Sequence, residues 1–339
     1  MNESFKKLIF IIGCPRSGTT KLAELLNNHP DIFGSSETHF FNINWGFKSH
    51  SNSLLKLIRD ISDEQLHHLL EDFYQHYRIQ DFLQLANIES FRITQLCKNL
   101  LNQDDTDREI TDSEIFKQFL FTALMQASKE KMPNKNIFCE KTPQHLLNVH
   151  EIHRLFPNAK FIHVKRDGRD VVNSLLKMPW RPAGLINNAR FWRKYARLGE
   201  KLENELVSGT LSENVISIEF EELLKNPTET LKSICKFIDI PFSESMLEHD
   251  NKQKVFADWE KQWKHKANSN IDPSRSGAYK KELSKDDQII LNHFLHKDLT
   301  ALGYEVDLSD FKLKHLILIW SSYIELFKTK LLRFISNEK

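Results

Sequence analysis

The chain has no C-x-x-C pair, no apolar run of bilayer length, no internal repeat and no large excess of either charge. Four cysteines, Cys14, Cys97, Cys139 and Cys235, are scattered through 339 residues. That scatter argues against a structural zinc site and reads most simply as a reduced, cytoplasmic setting. No stretch reaches the roughly 18 apolar residues that a membrane span needs. The opening MNESFKKLIFIIG is not laid out as a secretory leader, because its apolar stretch is short and runs straight into a glycine. A formal net charge of +1 argues against a broad nucleic-acid surface and leaves room for a local basic pocket.

What is present is ordinary for a globular protein: 40% hydrophobic and 27% charged residues. A chain of this length buries a substantial core, and a single domain over 1–339 is expected. KKLIFIIG reads as a buried strand ended by glycine, and KLAELLNNHP as a helix stopped near Pro30. NIFCEKTP, NAKFIHVKRD and NVISIEF are further strand candidates. HLLNVHEIHRLF, INNARFWRKYARLGEKLENEL and TETLKSICKFIDI carry helical periodicity. Strands alternating with helices predict an α/β fold with a parallel sheet flanked by helices. Residues 51–132 change to helical patterns with charged faces and are expected to form a helical insertion. LKHLILIWSSYIELFKTKLLRF predicts a C-terminal helix over about 311–335, which either packs on the domain or docks on a partner or membrane surface.

The chemistry starts at GCPRSGTT, residues 13–20, between the first strand and its helix. The stretch is nearly a P-loop, G-x-x-x-x-G-K-[ST], in which lysine grips the β- and γ-phosphates and Ser/Thr holds magnesium. Thr19 stands where that lysine belongs. A magnesium-binding carboxylate should end another apolar strand, yet FIHV runs into Lys165 and Arg166, and ISIEF offers only Glu219 and Glu221. The loop instead gathers Arg16, Ser17, Thr19, Thr20 and the backbone amides of a helix start, a donor set for an anion that needs no metal. A second basic loop, VKRDGRDVVNS, holds Arg166 and, eight residues on, Ser174, with Asp167 or Asp170 as helix cap. Two such loops at neighbouring strand ends fit two separate phosphates better than one triphosphate chain.

PRSGTT, EKTP, FIHVKRDGRDVVNSL and IEFEELLKNP, in this order and spacing, resemble the sulfotransferase family, most closely its tyrosylprotein and bacterial branches. The resemblance covers roughly residues 5–50 and 136–305. It implies a P-loop-type sheet, 3′-phosphoadenosine-5′-phosphosulfate (PAPS) as cofactor, 3′,5′-diphosphoadenosine (PAP) as product, and no metal. It further implies that Arg16, Ser17, Gly18, Thr19 and Thr20 wrap the 5′-phosphosulfate and that Arg166 and Ser174 hold the 3′-phosphate. Glu37 in SSETHFF lies where the tyrosylprotein branch has its general base, and Lys141 in EKTP matches a lysine near the transferring group. SRSGAYKKELS resembles the loop that closes over the cofactor, with Arg275, Ser276 and Lys280 as candidates. One departure stands out: Phe220 occupies a position where relatives often carry tyrosine.

In that reading an acceptor hydroxyl attacks sulfur in line, and catalysis is mostly positioning and electrostatics. Glu37, Lys141 and Arg16 are the expected catalytic residues, and His39 is the competing base. Cys14 is expected to be a buried thiol. Trp180, Phe191 and Trp192 either stack on an acceptor ring or pack the core, with core favoured for the last two. The acceptor is expected to be a small molecule or glycan, with a tyrosine side chain as the further option and no nucleic acid partner. Two other functions stay open: an ATP-dependent kinase with a divergent loop, and a nucleotide-binding protein without catalysis.

Overall fold

Short Ile- and Phe-rich runs become five parallel strands: β1 (Lys7–Gly13), β2 (Ile32–Gly34), β3 (Ile137–Glu140), β4 (Lys160–Lys165) and β5 (Val215–Glu219). The structure is a computed structural model and describes residues 4–43, 54–104, 111–182, 184–207, 213–248, 256–264 and 270–323. The strand order is β2-β3-β1-β4-β5. Gly13 pairs with Val164 and Phe10 with Glu140, so β1 lies between β3 and β4 in parallel register. From β1 the chain passes out to β2 on one side, and after β3 it crosses to β4 on the other. The carboxyl ends around β1 therefore open at the switch of winding direction, where ligands bind in sheets of this kind.

Alternation along β1 separates two cores. Ile9 and Ile11 join Leu22, Leu25 and Leu26 of helix Thr19–Asn27, with Leu223, Leu231 and Ile234 from the helices after β5. Phe10 and Ile12 face the opposite layer, built from helices Asp112–Lys131, Gly168–Leu175, Leu185–Val207 and Lys285–Ala301. Covering both faces is what lets a parallel strand be apolar at nearly every position. Phe10 stacks on Phe161 at 5.6 Å and on Phe121 at 5.8 Å, and Phe121 meets Phe40 edge-on at 4.9 Å. Phe40 and Phe41 are buried, which stabilises the loop after β2 by about 1.5–3 kcal/mol per ring. That loop carries Glu37.

Helices fill the described stretch between β2 and β3, from Leu54–Asp60 to Asp112–Lys131. Residues 51–53 and 105–110 of the expected insertion lie outside the described residues. So does 324–335 of the expected C-terminal helix, which is seen as a helix over 313–323. No described helix is long and apolar enough to cross a membrane. Cys14, Cys97, Cys139 and Cys235 are all free and buried. One strand escapes the sequence reading and one reading changes. Strand β2 has only three residues, so DIFG gives no strand pattern to read. IEFEELLK is a strand only to Glu219, and Phe220–Lys225 is helical.

Candidate active site

The loop after β1 is shaped for something to sit on it. Helix Thr19–Asn27 starts at Gly18 with no side-chain cap and no acidic residue in its first turn, so its leading amides and the positive end of its dipole stay available. Gly18 has φ 104°, and a Cβ there would run into the Phe220 ring. Gly13 lies against β4, where a Cβ would come within 2.6 Å of the Val164 carbonyl oxygen. Arg16 adopts φ 77° although it is not glycine. Such a backbone persists only where its surroundings hold it, and it clusters at ligand sites.

Three guanidinium groups meet here. Arg16 Nε donates to Ser174 Oγ at 3.0 Å, and Arg166 donates to the Arg16 carbonyl at 3.2 Å and the Arg275 carbonyl at 2.8 Å. The two loops and the later segment are thereby tied together, with Ser174 on Arg16 rather than on Arg166. Burial and mutual repulsion push the Arg16 and Arg275 guanidiniums down to about 10. Ser17 Oγ and Arg166 Nε are buried without a hydrogen-bond partner. Buried donors without acceptors cost free energy, and an anion offers the acceptors. The residues present thus fit phosphate or sulfate groups. Ser276 and Lys280 are exposed, while Arg275 lines the cavity.

Asp167 caps helix Gly168–Leu175 through the Arg169 amide at 2.9 Å. Asp170 instead accepts from the Gly277 amide at 2.8 Å and the Tyr279 amide at 2.9 Å, fastening the segment that carries Arg275 to the second basic loop. Burial raises its carboxyl above the usual range against the pull of Arg166 and those amides. Phe220 keeps a function without a hydroxyl. Its fully buried ring lies 4.8 Å from the Arg166 guanidinium and 5.4 Å from that of Arg275, a cation–π contact on each.

Glu140, at the end of β3, organises the other half of the site. It is fully buried. Oε1 accepts from the Thr38 amide (3.2 Å), Thr38 Oγ1 (2.8 Å) and Thr142 Oγ1 (2.6 Å). Oε2 accepts from the Thr142 amide (3.0 Å) and lies 2.9 Å from His145 Nδ1. Burial pushes this carboxyl up, but His145 and the threonine donors outweigh it and hold it below the usual carboxylate range. The Phe41 amide points at His145 Nε2 from 3.3 Å, which leaves Nδ1 as the protonated nitrogen. One carboxylate thus pins the loops after β2 and β3 to each other, one residue away from Glu37 and Lys141.

Those two meet directly. Lys141 Nζ, fully buried, is 2.6 Å from Glu37 Oε1 and 3.5 Å from Thr20 Oγ1 of the first loop. Glu37 Oε2 is 3.3 Å from His39 Nε2 and 3.5 Å from Arg78. Arg78 also pairs with Glu260 at 2.8 Å and with Asp81 at 3.9 Å. Burial works against its charge, but Glu37 and Glu260 prevail and hold the guanidinium above its ordinary value. Arg16, Glu37 and Thr20 share a cavity of about 820 Å³ with Tyr77, Trp180, Trp259 and Trp263. Trp192 is core and Phe191 packs against it. Burial raises the Cys14 thiol far above its usual value, so it is inert.

The expected residues therefore come together, apart from the exposed Ser276 and Lys280. Sequence reasoning missed Arg78, Glu140, Tyr77, Trp259, Glu260 and Trp263. For Glu140 there was a signal: a carboxylate closing an apolar strand, where burial demands partners. The others come from segments without a motif.

A profile of the sulfotransferase family matches residues 9–244. The chain is 26% identical over 245 residues to human protein-tyrosine sulfotransferase 1, covering 72% of this chain and 54% of that one. It is 24% identical over 250 residues to the Drosophila melanogaster protein-tyrosine sulfotransferase, covering 72% of this chain and 40% of that one. It thus spans about half the length of these two relatives. Among solved structures, the sulfotransferase domain of the Synechococcus PCC 7002 olefin synthase superposes with a TM-score of 0.55 at 18% identity, covering 90% of this chain and 97% of that one. The sulfotransferase domain from the curacin biosynthetic pathway gives 0.53 at 20% identity, covering 90% and 100%. These two share the fold of a parallel sheet flanked by helices, and the family match extends over the strands and loops that carry Arg16, Glu37, Lys141 and Arg166. The chain belongs to the sulfotransferase family.

Proposed function

We propose that the protein transfers a sulfuryl group from PAPS to an acceptor hydroxyl, with Glu37 as general base. The observation that carries this is the meeting of Arg16, Arg166, Arg275 and the unpartnered Ser17 hydroxyl at strand ends, beside a Glu37–Lys141 pair. Arg16, Ser17, Gly18, Thr19 and Thr20 would hold the 5′-phosphosulfate end, and Arg166 and Ser174 the 3′-phosphate. PAPS, when bound, supplies the sulfuryl group and departs as PAP. The chain's own contribution is position and charge. Lys141 and Arg16 present positive charge at the anionic end of the cavity. Glu37 receives the acceptor's hydroxyl proton, and ion pairs on both its oxygens fix the carboxylate's orientation. His39 holds the same oxygen as Arg78 and orients it further. The acceptor occupies the other end of the cavity and is a small molecule or a glycan. Because the site draws on residues from Arg16 to Arg275, we take the sheet and its insertion as one catalytic unit.

The test is calorimetric binding of PAP and of ATP, each with and without magnesium. PAP binding that ignores magnesium, with weak ATP binding, is the expected result. Magnesium-dependent ATP binding without PAP binding would overturn the proposal in favour of a kinase.

A further inference from the structure

The helix over 313–323 turns its apolar face outward. Leu313, Ile317 and Trp320 are 72%, 60% and 64% exposed, and their i, i+4, i+7 spacing puts them on one face. His315, Ile319 and Ser322, at the same spacing, are its less exposed positions and form the opposite face, towards the body. A helix that packs on its own domain has these faces the other way round. Polar bonds hold the orientation. His315 Nδ1 accepts from the Lys312 amide at 3.0 Å, which leaves Nε2 to donate to Asp286 at 3.1 Å. Lys314 Nζ pairs with the same carboxylate at 2.8 Å. At the other end the Tyr323 ring lies 5.5 Å from the Arg190 guanidinium. The helix is thus tied to helices Lys285–Ala301 and Leu185–Val207 while its apolar stripe faces away. An apolar stripe of this kind marks an interaction surface.

Charge says what covers it. Residues 312–339 hold six basic and two acidic side chains, while the remaining 311 residues carry a net −3. Beyond the described helix the sequence keeps the three-four apolar spacing through Ile324, Phe327 and Leu331 and interleaves it with Lys328, Lys330 and Arg333. A tryptophan on an apolar stripe, beside lysines and an arginine, suits the boundary of an anionic bilayer: the ring sits at headgroup level and the basic chains meet lipid phosphates and carboxylates. Apolar on one side and polar on the other, the helix fits the plane of a membrane rather than its interior. A second copy of the chain suits the face less. A two-fold partner brings the same basic segment against itself, and like charges work against that contact.

We propose that the outward face of helix 313–323, with the basic residues that follow it, binds the surface of an anionic membrane and holds the catalytic domain there.

The experiment uses the full chain. Its co-sedimentation is measured with phosphatidylcholine vesicles and with vesicles containing about one quarter phosphatidylserine, each at low salt and at about 0.5 M sodium chloride. The expected result is binding to the anionic vesicles at least about tenfold tighter than to the neutral ones, weakened by salt. The double variant Leu313→Ser, Trp320→Ser should bind the anionic vesicles at least about tenfold more weakly. It should keep the parent's urea midpoint, because both side chains are exposed. The triple variant Lys328→Gln, Lys330→Gln, Arg333→Gln should bind them about a hundredfold more weakly, at roughly fivefold per basic residue. Absence of vesicle binding would overturn the proposal, as would equal binding to neutral and anionic vesicles. Full binding by the double variant would remove the helix face from it. Sedimentation equilibrium without lipid supplies the competing outcome: dimers that the double variant abolishes, in a chain that ignores vesicles, would assign the face to a second copy. PAP binding is untouched by any of these results, so the inference stands or falls apart from the sulfuryl-transfer reading.

Discussion

Glu140→Gln is the most informative single substitution in this protein. The two side chains have nearly the same shape, so packing is conserved and only the acceptor pattern changes. If the amide oxygen keeps the Oε1 place with its three donors, the amide nitrogen faces the Thr142 amide and His145 Nδ1. Donor then meets donor at full burial. His145 cannot relieve the clash by moving its proton, because its Nε2 already faces the Phe41 amide. Two buried donors left unmet cost about 1–3 kcal/mol each, so the fold should lose about 2–6 kcal/mol, a large part of the 5–15 kcal/mol typical of a domain. Urea unfolding followed by tryptophan fluorescence reads this directly. Turnover should fall by about a hundredfold even where the variant is fully folded, since the clamp fixes Glu37 against Lys141 and a shift of about 1 Å has that effect. The acid limb should change as well. The unfolded carboxyl, near 4.3, takes its proton before the folded one, which is held lower. Its contribution is therefore complete above that value and is lost as pH falls through the lower folded pKa. The glutamine variant lacks this part of the acid sensitivity. A variant within about 0.5 kcal/mol of the parent, with unchanged turnover, would show that the two loops do not depend on this carboxylate.

Three further outcomes follow from the site. Glu37→Gln should lower kcat by about 10²–10⁴ with PAP affinity unchanged in calorimetry, and equal turnover would remove it as base. Arg166→Ala should weaken PAP by about tenfold or more and 5′-AMP far less, and equal weakening of the two would refute the 3′-phosphate assignment. Gly18→Ala should cost about 2 kcal/mol or more in urea unfolding, because it combines φ 104° with a collision at Phe220; a neutral result would mean that the Phe220 ring can move aside.

The strands β1, β3, β4 and β5, with the loops at their ends, are legible in the sequence because each element is local. An apolar run, a glycine and a basic cluster fall within a dozen residues of one another. Strand β2 is not legible, because three residues carry no alternation and its strand state comes from pairing with β3. The Glu37–Lys141 pair is legible only through resemblance, since 104 residues separate the partners. Arg78 and Glu260 are 182 residues apart, and nothing local in either segment points to the other. Phe220 shows the opposite case. Its sequence predicts a lost hydroxyl contact, whereas the fold places the ring beside two guanidiniums, an arrangement that only tertiary packing can create.

The three-arginine meeting point has a consequence for the protein as a thermodynamic system. Burial, and after it repulsion from neighbouring arginines, holds the Arg16 and Arg275 guanidiniums down to about 10 and leaves the ligand-free fold under electrostatic pressure. Any anion that enters relieves it, so folding and anion activity are linked. Stability of this chain is then a function of solution composition as much as of its own contacts. A ligand at a hundred times its Kd adds about 2.7 kcal/mol. If these arginines hold the cofactor as proposed, the loaded protein is the form that best survives unfolding and proteolysis.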